Sequence, residues 1–158
     1  MNREEVQIES FQIIGIATRT TNSEEMGSHG KIPRLWEKFY KDQIVSKIPN
    51  KIDHDIVAIY YNYESDASGA YSVLIGQKVH ANTEAPIGMV ALNVPLGTYS
   101  KHNSLIGKMP MIVVDTWKKI WELTEKGVLQ RKYTFDFELY DSRSRDPNSS
   151  QVDVFISV

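Results

Sequence analysis

Cysteine is missing from all 158 positions. Its absence removes disulfide scaffolds, thiol nucleophiles and cysteine-ligated zinc or iron–sulfur centres together, and it fits a reducing compartment. Long apolar runs are missing as well. Nothing approaches the roughly 18 consecutive apolar residues that span a bilayer, and the start, Met1-Asn2-Arg3-Glu4-Glu5, is polar rather than a signal segment. An excess of positive charge is the third absence: 18 Lys and Arg stand against 20 Asp and Glu, for a net charge of −2. The basic patch that a phosphate backbone calls for is therefore not there. The expectation is a soluble cytoplasmic chain with no membrane segment and no direct nucleic-acid contact. At this length a single core can bury roughly two-thirds of the unfolded surface without a staple.

The usual sequence signs of catalysis and metal binding are also scarce. The histidines, His29, His54, His80 and His102, are scattered, with no pair four apart and no HExxH. Asp53-His54-Asp55 has ligand-type side chains, but adjacent residues on an extended chain point to opposite sides. It reads as a solvated turn. Gly27-Ser28-His29-Gly30 precedes a helix without the GK[ST] ending of a phosphate loop, and reads as a flexible helix entry. There is no GxSxG nucleophile elbow. No metal and no cofactor are implied.

Periodicity is what the chain has instead. Val6 to Thr18 reads as a strand with Gly15 a candidate bulge. Ile32, Leu35, Trp36, Phe39, Tyr40 and Ile44 mark one face of a helix with Pro33 in its first turn. Ile56–Tyr63 and Ala70–Val79 form a hairpin, and Ile87–Val94 is a further strand. Met111–Lys126 is a second helix, with Gly127 placed for a C-terminal cap. Tyr133–Tyr140 and Val152–Val158 are the last strands. The order strand, helix, strand, strand occurs twice. Trp36 and Trp117 lie 81 residues apart, Ile56 and Tyr133 77, and Tyr71 and Val152 81, all near half the chain. The expected fold is α+β: duplicated strand-helix-strand-strand modules in a mostly antiparallel sheet of about six strands with two helices and pseudo-two-fold symmetry. Residues 1–158 form a single domain of two repeats, about 1–80 and 81–158, and a groove between them is a natural place for a ligand.

Aromatic residues supply 10% of the chain, with three Trp, eight Tyr and five Phe. They crowd both helix faces, and Tyr60, Tyr61 and Tyr63 share one strand. In Tyr133–Tyr140, alternation places Phe135, Phe137 and Leu139 on one face and Asp136, Glu138 and Tyr140 on the other. An offset of 77 relates Glu138 to Tyr61 and Tyr140 to Tyr63. A carboxylate among aromatic rings suits an organic cation, through cation–π attraction and a counter-charge strengthened by low dielectric.

Five segments carry a resemblance over nearly the whole chain: Ile32–Phe39, Tyr60–Asp66 with Gly69–Tyr71, Val94–Tyr99, Trp117–Trp121 and Phe137–Asp141. Together they resemble the GyrI-like small-molecule-binding family, the effector-binding domain of AraC- and MerR-type multidrug regulators. The likeness is strongest to its stand-alone integron-cassette and YdeE-like members. The resemblance implies a pocket between two modules, lined by aromatic side chains over an acidic floor, with the acid at Glu138 and with Trp36, Tyr61, Tyr99, Trp121 and Tyr140 as ligand-binding positions. The regulators carry an upstream helix-turn-helix region. This chain opens on the first strand of the effector domain, so direct control of transcription is not expected of it.

The expected function is capture of hydrophobic organic ligands, lipophilic cations included, with binding favoured over catalysis and a chemical step after binding left open. A hydrolase of the same fold is the alternative, with Glu138 as general base and Tyr61 or Tyr99 as proton donor. A protein-binding inhibitor of the gyrase-inhibitor type is a third reading. The ligand's identity, the regulator or pathway served and the oligomeric state are not written in the sequence.

Overall fold

A computed structural model describes residues 3–158. Eight strands, all paired antiparallel, form one sheet: β1 (Arg3–Ile8), β2 (Phe11–Thr21), β3 (Ile56–Tyr61), β4 (Ala70–Val79), β5 (Val90–Val94), β6 (Gly97–Asn103), β7 (Phe135–Tyr140) and β8 (Asp153–Ser157). Four α-helices accompany them: α1 (Asn22–Glu25), α2 (Lys31–Lys41), α3 (Ile44–Lys47) and α4 (Met111–Glu125). The spatial order is β1-β6-β8-β7-β3-β4-β2-β5. Exchanging the first four strands with the last four returns the same order reversed, so the sheet has the expected pseudo-two-fold about the β7–β3 pair. The opening strand of each set joins the other set: β1 lies on β6, and β5 on β2.

The two faces of the sheet carry different cores. On one face the sheet curls over itself around Ile13, Val57, Ile59, Leu74, Phe137 and Phe155. Its curvature brings Phe11 of β2 edge-on to Phe137 of β7, with ring centroids 5.6 Å apart. On the other face α2 seats Leu35 and Phe39 against Ile14, Ile16, Val73 and Ile75, and α4 seats Ile120 against Val154 and Ile156. The two helices flank the central strands β3 and β7. No helix among the described residues is long and apolar enough to cross a membrane.

Several local expectations change. The single strand over Val6–Thr18 is two strands broken at Glu9-Ser10. Gly15 is no bulge: it pairs in register with Gly76, and a β-carbon on it would stand 2.0 Å from the Ile75 carbonyl oxygen. Glycine is there because two backbones touch. The first long helix stops at Lys41, and Gln43, in the left-handed region at φ 51°, separates it from α3. The strand β6 gave no hydrophobic signal because its helix-side positions are polar: Ser100 and His102 are buried and bonded to each other, Oγ to Nε2, at 2.9 Å. Gly127 caps α4 at φ 72°, as its place after the helix suggests.

Candidate functional site

Each long helix shows two stripes. In α2, Leu35 and Phe39 are buried, and the stripe one residue on, Ile32, Trp36 and Tyr40, faces the gap over β3 and β7. In α4, Ile112, Thr116 and Ile120 are buried, and Val113, Trp117 and Trp121 face the same gap. Aromatic residues four apart stack along a helix, so each helix offers a pair: Trp36 on Tyr40 at 6.0 Å and Trp117 by Trp121 at 6.5 Å. The gap forms two joined chambers that share Glu25, Ile32, Tyr60, Val113, Val114 and Glu138. One chamber, of about 350 Å³, runs toward Tyr63, Tyr71 and Arg131. The other, of about 1160 Å³, runs between Trp36 and Tyr140 toward the loops at Asp55 and Asp141.

Glu138 forms the floor where the chambers meet. It lies in β7 opposite Ala58 of β3, and the small alanine leaves the carboxylate room. The residue is 2% exposed. Three neutral donors reach it: Tyr60 O–H to Oε2 at 2.8 Å, Trp117 Nε1–H to Oε2 at 2.7 Å and Tyr140 O–H to Oε1 at 2.6 Å. Among the described residues it forms no ion pair. Burial raises its pKa, and the three hydrogen bonds pull the other way without cancelling that effect. Burial, and next the Glu138 charge, push the Tyr60 and Tyr140 hydroxyls well above their ordinary value.

The nearest buried guanidinium is spoken for. Arg131 donates from Nη2 to Asp136 Oδ2 at 2.8 Å, and neither side chain is more than 3% exposed. Tyr63 O–H donates to the same oxygen at 2.6 Å, and the Ser157 N–H donates to Oδ1 at 2.8 Å. Asp136 is a compensated structural acid, and Glu138, two residues on, is an uncompensated one. At the entry of α2, Glu25 accepts from the N–H groups of Lys31 and Ile32 at 2.8 and 3.0 Å. The helix end that an external phosphate would need is thus closed by the chain's own carboxylate.

Of the expected ligand positions, Glu138, Trp36, Trp121 and Tyr140 line the gap together. Tyr61 and Tyr99 do not. Tyr61 points through the opposite face and stacks on Phe135 at 6.4 Å. Tyr99 is buried on that same face against Phe137 at 5.3 Å. The reason is parity. Tyr60, not Tyr61, shares the face of Glu138, so the offset between β3 and β7 must be even. An offset of 78, taking Tyr60 to Glu138, satisfies this; an offset of 77 turns every side chain to the wrong face. The pairing of Glu138 with Tyr61 or Tyr99 as proton donor falls with it. Tyr60 and Trp117 are the residues sequence reasoning missed. Trp117 was visible as the partner of Trp121 four positions on, and Tyr60 through an even offset.

The family model described as integron-associated effector binding protein (Cass2) matches residues 6–158. YobU of Bacillus subtilis strain 168 is 30% identical over 145 residues, covering 91% of this chain and 89% of that protein. An integron cassette protein of Vibrio cholerae superposes with a TM-score of 0.78 at 31% identity, over 99% of this chain and 95% of the other. SAV2435, solved bound to tetraphenylphosphonium, shares the fold with a TM-score of 0.76 at 14% identity, over 100% of this chain and 94% of that one.

Proposed function

The chain belongs to the family of integron-associated effector binding proteins, and from that premise we propose that it reversibly binds lipophilic organic cations over Glu138. The carrying observation is a buried carboxylate held by three neutral donors and, among the described residues, paired with no cation. An isolated charge at such a depth is costly. A soft, weakly hydrated cation offsets that cost while surrendering little hydration, and each ring face adds roughly 0.5–2 kcal/mol. The tetraphenylphosphonium on SAV2435 supports the reading, since that protein has the same fold.

Binding suits these residues better than hydrolysis. The tyrosines beside Glu138 have hydroxyls raised well above 10, so they hold their protons as hydrogen-bond donors instead of delivering them. The chain works as one cytoplasmic effector-binding unit of two repeats, about 1–80 and 81–158. Each repeat lends one helix and one central strand to the groove, and a small molecule is its partner in place of nucleic acid. The test is calorimetric titration with tetraphenylphosphonium. Glu138→Gln, with its circular dichroism unchanged, is expected to bind roughly 10- to 100-fold more weakly, the worth of one interaction with a charged group. Equal affinity in the two proteins overturns the assignment.

A further inference from the structure

The smaller chamber ends at Arg131, and its polar side chains can be accounted for one by one. Tyr60 O–H and Trp117 Nε1–H go to Glu138, and Tyr63 O–H goes to Asp136. Tyr71 O–H donates to Asn22 Oδ1 at 2.7 Å, and Asn22 Nδ2 donates to the Ala67 carbonyl at 3.0 Å. Glu25 is taken up by the N–H groups of Lys31 and Ile32. Lys118 is exposed at the mouth.

Arg131 is the exception. A guanidinium carries five N–H groups, and here only Nη2 is bonded, to Asp136. Nε is buried with no partner. Nη1 makes no hydrogen bond either among the described residues, and unlike Nε it is not fully enclosed. The group is clamped between rings, its central carbon 5.7 Å from the Trp117 centroid and 4.4 Å from that of Tyr133. Buried donors left unmet are costly. Asp136 already matches the charge, so Arg131 offers a ligand hydrogen bonding without a free positive charge. A carboxylate placed there would face Asp136 and Glu138 uncompensated, whereas a neutral carbonyl meets only the donor. The same side chain borders an outer groove beside Ser100 and Lys132, which shares no other residue with the chamber.

Resting on the reading of Glu138 as a cation acceptor, we propose that the smaller chamber selects organic cations whose arm carries a neutral carbonyl, with Arg131 as the donor that determines this specificity. The spacing follows from the strand. Asp136, which holds Arg131, and Glu138 lie two residues apart on one face of β7, and a rise of about 3.3 Å per residue sets the two ends about 7 Å apart. A carbonyl that enters a chamber without a donor gives up its water for nothing and weakens binding. On an arm already tethered over Glu138, a bond to Arg131 adds affinity without a second association cost. One hydrogen bond from a charged donor, less the carbonyl's lost hydration, is expected to raise affinity about three- to tenfold.

The probes are (5-oxohexyl)trimethylammonium and hexyltrimethylammonium, titrated calorimetrically into the wild type, Arg131→Lys and Glu138→Gln. The wild type is expected to prefer the ketone about three- to tenfold. Arg131→Lys keeps a cation for Asp136 but loses the planar set of spare donors, and the ratio of the two affinities is expected to fall to one or below. Should that variant lose its circular dichroism, Arg131→Met combined with Asp136→Asn carries the same test, since it leaves no lone buried charge. The isomer (2-oxohexyl)trimethylammonium, with its carbonyl next to the charge, should show no preference over the alkyl probe. Equal or weaker binding of the 5-oxo probe by the wild type overturns the proposal while Glu138-dependent binding of hexyltrimethylammonium stands. A preference that survives the loss of Arg131 in the double variant also overturns it, since Lys118 or solvent then supplies the donor, and an equal gain by the 2-oxo isomer does the same. Binding of hexyltrimethylammonium unmoved by Glu138→Gln sinks the underlying reading itself.

Discussion

Tyr140→Phe isolates a single hydrogen bond. The Tyr140 hydroxyl is the one donor to Oε1 of Glu138, at 2.6 Å, while Oε2 has two others. Phenylalanine keeps the ring that meets Trp36 edge-on, so the shape of the wall is preserved and only the O–H is lost. A hydrogen bond to a charged group is worth about 1.5–3 kcal/mol, and one pKa unit corresponds to about 1.4 kcal/mol. The already raised pKa of Glu138 should therefore climb by about one to two units further. A cation requires the ionised form, so affinity falls as pH drops through this pKa, about tenfold for each unit below it. The affinity–pH curve for tetraphenylphosphonium should move one to two units toward alkaline pH in Tyr140→Phe. Below both midpoints the variant binds about 10- to 100-fold more weakly, and above both the two proteins converge. Tyr61→Phe, altered on the opposite face of the sheet, should leave the curve in place. In the ligand-free protein the same group acts on stability with the opposite sense. Its folded pKa lies above its unfolded one, so its contribution is full below the unfolded value and is lost as pH rises through the folded one. A Tyr140→Phe curve that superimposes on the wild type, or moves toward acid, would refute the idea that this hydrogen bond keeps Glu138 ionised.

Three further outcomes follow from the same contacts. All three tryptophans line the groove, so saturating tetrabutylammonium, which does not absorb, should change tryptophan emission; flat emission alongside calorimetric binding would place the ligand elsewhere. Asp136→Ala strands the buried Arg131 guanidinium and should cost about 3–5 kcal/mol in urea unfolding, a loss under about 1 kcal/mol contradicting the pairing. Burial, with Arg3 adding to it, lowers the His102 pKa from 6.5 to about 4; between those values the unfolded chain binds the extra proton, so stability should fall as pH drops from about 6.5 to about 4, and His102→Leu should flatten that limb of the profile.

The parts of the fold written most plainly were those with a strong apolar period. The stripe Leu35–Phe39, the run Ile56–Tyr61 and the alternation of Phe135–Tyr140 each fell into the element their spacing predicts. β6 stayed hidden because its buried helix-side positions, Ser100 and His102, are polar and bonded to each other, so no apolar period marks them. Glu138 could be read from alternation and from the family resemblance. Its partners could not be read with the same ease, because the choice between Tyr60 and Tyr61 turns on one residue of register. Spacings of 77 and 81 locate a repeat but do not fix parity, and only the ladder, with Ala58 opposite Glu138, does so. The double stripes of α2 and α4 were equally hard to separate, since one helical period serves both the core and the groove wall one position on.

The exchange of opening strands has a kinetic consequence. Arg3 pairs with His102 and Phe11 with Val94, so the outer ladders close loops of about a hundred and about eighty residues. Contacts so distant along the chain are expensive to form early and slow a domain's folding. Neither half can finish its own sheet edge until the other has arrived, so the floor and both walls of the groove should appear in one late, cooperative event. A chain emerging from synthesis would hold β2 without its β5 neighbour until the second half is made, and the binding site would come into being only with the completed polypeptide.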